Sequence, residues 1–71
     1  MPYSIFVRKI DPARRCAPEI LACEIESEGE ASRIVRHLAT SFGEFGLDRG
    51  RCVYWFRNTG GLHEIWSAAS N

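Results

Sequence analysis

Cys52, His63 and Glu64 bring a thiol, an imidazole and a carboxylate into the last third of the chain. These are the residue types of a nucleophile activated by a base that a third group orients. His63 and Glu64 are adjacent, however, and neighbouring residues of a strand point to opposite faces. The carboxylate then has no route to the imidazole, and a partly buried structural histidine is the simpler reading. Zinc is the second chemistry to weigh, because Cys16, Cys23, Cys52 and His63 are ligands of the right kind. No two of them stand at the short C-x₂₋₄-C or H-x₃₋₅-H spacing that preorganises such a site, so no metal or other cofactor is expected. Arg14 and Arg15, in a loop with Pro12 and Pro18, could grip a phosphate, although exposed arginines of a loop are more often simply solvated. Gly43-Glu44-Phe45-Gly46 has the outline of a G-x-x-G loop that clamps a nucleic-acid backbone, but it carries an acidic residue and falls where a helix should be ending. Neither a glycine-rich phosphate loop nor an H-E-x-x-H motif nor a paired-carboxylate cleft is present. A binding domain is expected, not an enzyme.

Composition narrows the partners. The 71 residues suffice for one domain, and a core of that size contributes only about 3–5 kcal/mol of net stability. Apolar residues make up 45% and charged residues 25%, as in an ordinary globular chain. Nine basic side chains balance nine acidic ones, which removes the attraction that drives generic binding to nucleic acid or acidic membranes. Eight of the nine cations are arginine, a bias that fits a GC-rich, bacterial coding sequence. The three cysteines are odd in number and irregularly spaced, and Met1–Ile10 does not read as a secretory leader. Both features point to a reducing cytoplasm without a disulfide framework. No run of 18 apolar residues is available to span a bilayer. With disulfides and metal set aside, oligomerisation is the expected source of added stability.

The elements that must position these side chains follow from periodicity. Tyr3, Ile5 and Val7 alternate with Ser4, Phe6 and Arg8, the period-2 pattern of a half-buried strand. A second strand is expected over Ile20–Glu26, with Leu21, Cys23 and Ile25 on one face and Ala22, Glu24 and Glu26 on the other. Ser27 and Glu30 form a capping-box pattern, and Ala31, Ile34, Val35, Leu38, Ala39 and Phe42 make one apolar stripe. The spacing predicts a helix over Glu28–Phe42, with Gly43 as a left-handed cap and Gly43–Gly50, with its three glycines, as a loop. Strands over Arg51–Arg57 and Leu62–Ser67 flank a tight turn at Asn58–Gly61, and the tail Ala68–Asn71 should fray. The order β-β-α-β-β predicts an α+β two-layer sandwich, a four-stranded antiparallel sheet with one helix on one face. The expected core is Ile5, Leu21, Ile34, Val35, Leu38 and Tyr54, joined on the sheet side by Cys23 and Cys52.

A turn of two or four residues sets Arg57 opposite Leu62, and opposed residues share a face. Tyr54 then opposes Ile65 and Phe56 opposes His63 on the side suited to the helix. Val53 opposes Trp66 and Trp55 opposes Glu64 on the other. A three-residue turn would reverse the last strand, sending Trp66 and Leu62 inward. With the first register, the helix-free face carries Phe6, Val53, Trp55, Leu62 and Trp66, with Arg8, Arg51 and Arg57 among them and Ala22, Glu24 and Glu64 nearby. Aromatic and arginine side chains of this kind are enriched in interface hot spots. Self-association or binding of another protein is expected there. The alternatives are an aromatic and arginine platform for a small ligand or single-stranded nucleic acid, and an ordinary sheet face with scattered apolar residues.

Overall fold

A computed structural model describes residues 2–69. The chain runs β1 (Tyr3–Ile10), β2 (Glu19–Ile25), α1 (Glu28–Thr40), β3 (Glu44–Asp48), β4 (Val53–Asn58) and β5 (Gly61–Ala69). The strands form one sheet in the order β2-β1-β5-β4-β3, antiparallel throughout. Helix α1 is the crossover between the two edge strands and packs against one face, giving an α+β sandwich. The sheet has five strands rather than the expected four. The segment read as a glycine-rich loop supplies β3, whose residues pair with β4 from Glu44↔Arg57 to Asp48↔Val53. Arg51 and Cys52 lie outside β4, in the connecting turn, where Asp48 Oδ1 accepts from the Gly50 and Arg51 amides at 3.1 and 3.3 Å. β5 continues through Ala69, past the point where fraying was expected; Ser70 and Asn71 lie outside the described residues.

Ser27 caps the helix as its sequence implies: extended at φ −130°, it accepts from the Glu30 amide at 3.1 Å. The helix stops at Thr40 without a left-handed glycine. Ser41 keeps helical φ and ψ, its amide turns back to the Leu38 carbonyl, and the Ser41 and Thr40 hydroxyls donate to the Leu38 and Arg36 carbonyls. Those side chains satisfy acceptors that a C-terminal glycine motif would otherwise serve.

Ala31, Val35 and Ala39 are buried at i, i+4 and i+8, and they meet Ile5, Ile25, Phe56 and Ile65 of the sheet. Two alanines with no exposed surface bring the helix close to the strands. Ile34, Leu38 and Tyr54 are only partly buried, at the margin of this core. Leu21 lies outside it, 53% exposed, and Cys23 and Cys52 are exposed as well. The cause in β2 is a break in the alternation. Tyr3 pairs Ile25, Ile5 pairs Ala22 and Phe6 pairs Ile20, so β2 carries an extra residue in each of two intervals, and Glu24 adopts a φ of 61°. Such bulges rotate the side chains that follow. Ala22 and Ile25 therefore both pack on the core, and Ala22 does not join the open face as expected. Cys52 is removed from the core by its place in a turn at φ 57°.

Candidate functional site

The β4–β5 turn decides what the helix-free face displays. Asn58 pairs with Gly61, leaving Thr59-Gly60 as a two-residue connection, and Asn58 Oδ1 accepts from the Gly60 amide at 2.8 Å. Gly61 has a φ of +112°, a conformation open to glycine and rarely to other residues. Tyr54↔Ile65, Trp55↔Glu64, Phe56↔His63 and Arg57↔Leu62 follow, the register obtained by counting from a two-residue turn. The adjoining ladders extend it into rows across four strands. Arg8, Glu64, Trp55 and Gly46 form one row, and Ile10, Leu62, Arg57 and Glu44 the next. Phe6 with Trp66, and Val53 with Asp48, continue the same face.

At the centre of this face lies a charge, Glu64, which is only 8% exposed. Arg8 Nη2 donates to its Oε1 at 2.8 Å, while Arg51 reaches in from the turn and donates to both carboxylate oxygens, its Nη2 at 3.1 Å from Oε1. The Arg51 hydrogen bonds hold the Glu64 carboxyl below the usual carboxylate range, with the Arg8 bond assisting and burial opposing. The same pairing raises Arg51 above its ordinary value. Charge-assisted bidentate bonds of this geometry fix position as well as adding energy. Arg8 also stands 5.9 Å over the Trp66 ring, which stacks on Phe6 at a centroid distance of 5.8 Å. The Arg8 Nε is buried without a hydrogen-bond partner among the described residues, a cost that accompanies this stacking.

Trp55 is held differently. A Cβ built on Gly46 would stand 2.5 Å from the indole Nε1 and 2.6 Å from Cε2, so the ring lies flat against the β3 backbone where that strand has no side chain. This close approach accounts for a glycine inside a strand. Val53 is 9% exposed beside it, and Phe6, Trp55, Leu62 and Trp66 are half-buried. Arg57 pairs with Glu44 at 3.3 Å at the solvated margin.

Seven of the expected residues, Phe6, Arg8, Val53, Trp55, Arg57, Leu62 and Trp66, therefore share the helix-free face as strand residues, and Arg51 joins them from a turn. Three contributors were not anticipated: Glu64 as the centre, Gly46 as the seat of Trp55, and Ile20, 63% exposed beside Phe6. His63 lies on the other face, its ring stacked on Phe56 at 5.0 Å and its Nδ1 3.1 Å from the Gly61 carbonyl oxygen. Glu64 points away from it, so the two do not form a catalytic pair. Among the described residues no three His, Cys, Asp or Glu side chains cluster as metal ligands, and no helix is long and apolar enough to cross a membrane. No family model, curated protein or solved structure matches the chain.

Proposed function

We propose that the protein is an interaction module that pairs with a second copy of itself through the helix-free face of its sheet. The observation that carries this reading is the composition of that face: two tryptophans, Phe6, Val53 and Leu62 surround a carboxylate whose charge is already answered by two arginines. Drying that surface leaves no carboxylate unpaired, and the surplus positive charge can stay in water on Arg51, whose side chain is 55% exposed. A two-fold pairing would set the same patch against itself. At about 25 cal/mol per Å² of apolar area, this offsets association costs only if the patch is well packed. Zero net charge adds no repulsion between copies. The platform alternative is less well supported, because it needs Arg8, Arg51 and Arg57 free for phosphates and each already has a carboxylate partner. Three free cysteines fit a reducing, cytoplasmic setting.

Sedimentation velocity across a concentration series tests the proposal, using the wild type, Trp55→Ala and Leu62→Glu. The wild type should dimerise. Leu62→Glu, which puts a carboxylate in place of an apolar side chain of the patch, should shift it to monomer while leaving the circular dichroism spectrum unchanged. A wild type that stays monomeric to about 1 mM would overturn self-association. A salt-sensitive change of tryptophan fluorescence with an oligonucleotide would favour the platform instead.

A further inference from the structure

On the helix side of the sheet, cover ends at Phe42, whose ring stacks on Phe56 at 4.1 Å; Phe56 in turn stacks on His63. Beyond that stack Lys9 and His63 stand directly opposite each other on β1 and β5. The β1–β2 connection closes over this end and leaves a cleft of about 560 Å³, lined by Lys9, Arg14, Arg15, Cys16, Glu19 and His63 among others. Lys9, Arg14 and Arg15 also line an adjoining cleft of about 320 Å³. Lys9, Arg14 and Arg15 stand against Glu19 and, in the adjoining cleft, Asp11, which leaves one positive charge in excess.

The loop backbone and His63 are held by named contacts. Asp11 Oδ1 accepts from the Ala13 amide at 2.8 Å, the Arg14 amide returns to the Asp11 carbonyl at 3.4 Å, and Pro12 and Pro18 restrict the loop on either side. His63 is held by its ring stack and by its Nδ1 contact with the Gly61 carbonyl, and Lys9 Cε would lie 3.7 Å from a Cβ on Gly61. The Arg14 guanidinium is only loosely paired, 3.6 Å from Asp11. Lys9 and Arg15 have no ion-pair partner among the described residues. Cations gathered around one cleft repel one another until an anion joins them, and guanidinium groups match phosphate oxygens in pairs. The volume lies in the range of small-ligand sites.

We infer that this cleft binds a small organic phosphate, about the size of a phosphorylated sugar, with Lys9, Arg14 and Arg15 on the phosphate and His63 beside Lys9 on the sheet floor. The site is separate from the helix-free face and does not depend on self-association. Titrating the full chain with ribose 5-phosphate at low salt, while following the His63 ring and Arg15 side-chain resonances by NMR, tests it. Saturable shifts are expected, with a weaker response to inorganic phosphate and none to ribose. Lys9 and Arg15 are exposed, so the double variant Lys9→Gln, Arg15→Gln keeps the fold and should lose at least about tenfold in affinity. Absence of saturation below about 10 mM, equal shifts with ribose, or unchanged affinity in the double variant would each overturn the assignment.

Discussion

The two faces of the sheet use the same strands and are stabilised in different ways. On the helix side, Ile5 and Ile65 lose essentially all contact with water because α1 lies on top of them. On the other side no element among the described residues lies on top, and side chains are sheltered by their neighbours: Trp66 by Phe6 and Arg8, Trp55 by the bare backbone at Gly46, Glu64 by two arginines. The covered face is built from apolar side chains, whereas the open face is organised around a paired carboxylate. Cover buries apolar volume, while lateral packing depends on specific pairs, so the two faces should respond differently to substitution.

The largest effect is expected on the covered face. Ile65→Ala removes a side chain that is 1% exposed and should cost about 2–5 kcal/mol in denaturant titration, whereas Leu38→Ala, at the margin of the core, should cost less than Ile65→Ala. Equal losses would show that the helix margin is as tightly packed as its centre. Next is the centre of the open face. Glu64→Ala leaves Arg8, which is half-buried, without its anion, and should cost about 1–3 kcal/mol. The pH dependence has a definite sign. Because the Glu64 carboxyl is lowered in the folded state, its contribution is fully present above the unfolded carboxylate range and is lost as pH falls through the folded value. A stability curve that is flatter in acid for Glu64→Gln than for the wild type is the expected result.

Gly46→Ala is a perturbation of the same order. Its new methyl group would overlap the Trp55 ring, so the indole must move; a loss of about 1–3 kcal/mol and a shifted tryptophan emission are expected. An unchanged emission would place Trp55 elsewhere in solution. Smallest of all are Cys16→Ser, Cys23→Ser and Cys52→Ser, each within about 0.5 kcal/mol of the wild type by thermal unfolding, since none of the three is in the core.

What could be read from the sequence was whatever depends on local rules. The Ser27 cap and the apolar stripe that includes Ala31, Val35 and Ala39 follow from spacing along one segment; the β4–β5 register followed only for a turn of two or four residues, and the Asn58↔Gly61 pair decides it and with it the face shared by Trp55 and Trp66. Features that need a second strand to be seen were missed. Gly46 looked like a loop residue because the tryptophan that completes it is on β4. Leu21 and Cys23 were assigned inward because strict alternation holds only without bulges, and nothing in Glu19–Ile25 marks one before β1 is set beside it. The role of Glu64 required knowing that β5 pairs with β1, which brings Arg8 opposite it. The same pairing carries Lys9 to His63 and makes the basic cleft.

That pairing also bears on how the chain folds. The middle seam of the sheet joins Tyr3 to Ala69 and Ile10 to Leu62, so it closes a loop of nearly the whole described chain, with the entropy cost such closure carries. The β1–β2 and β4–β5 hairpins can form early from local contacts, but neither has a hydrophobic face to rest on until the first and last strands meet. Folding should therefore be slow for a chain of this length, with a transition state in which β1 and β5 are already joined. A chain ending before β5 would be left with two hairpins that share no edge.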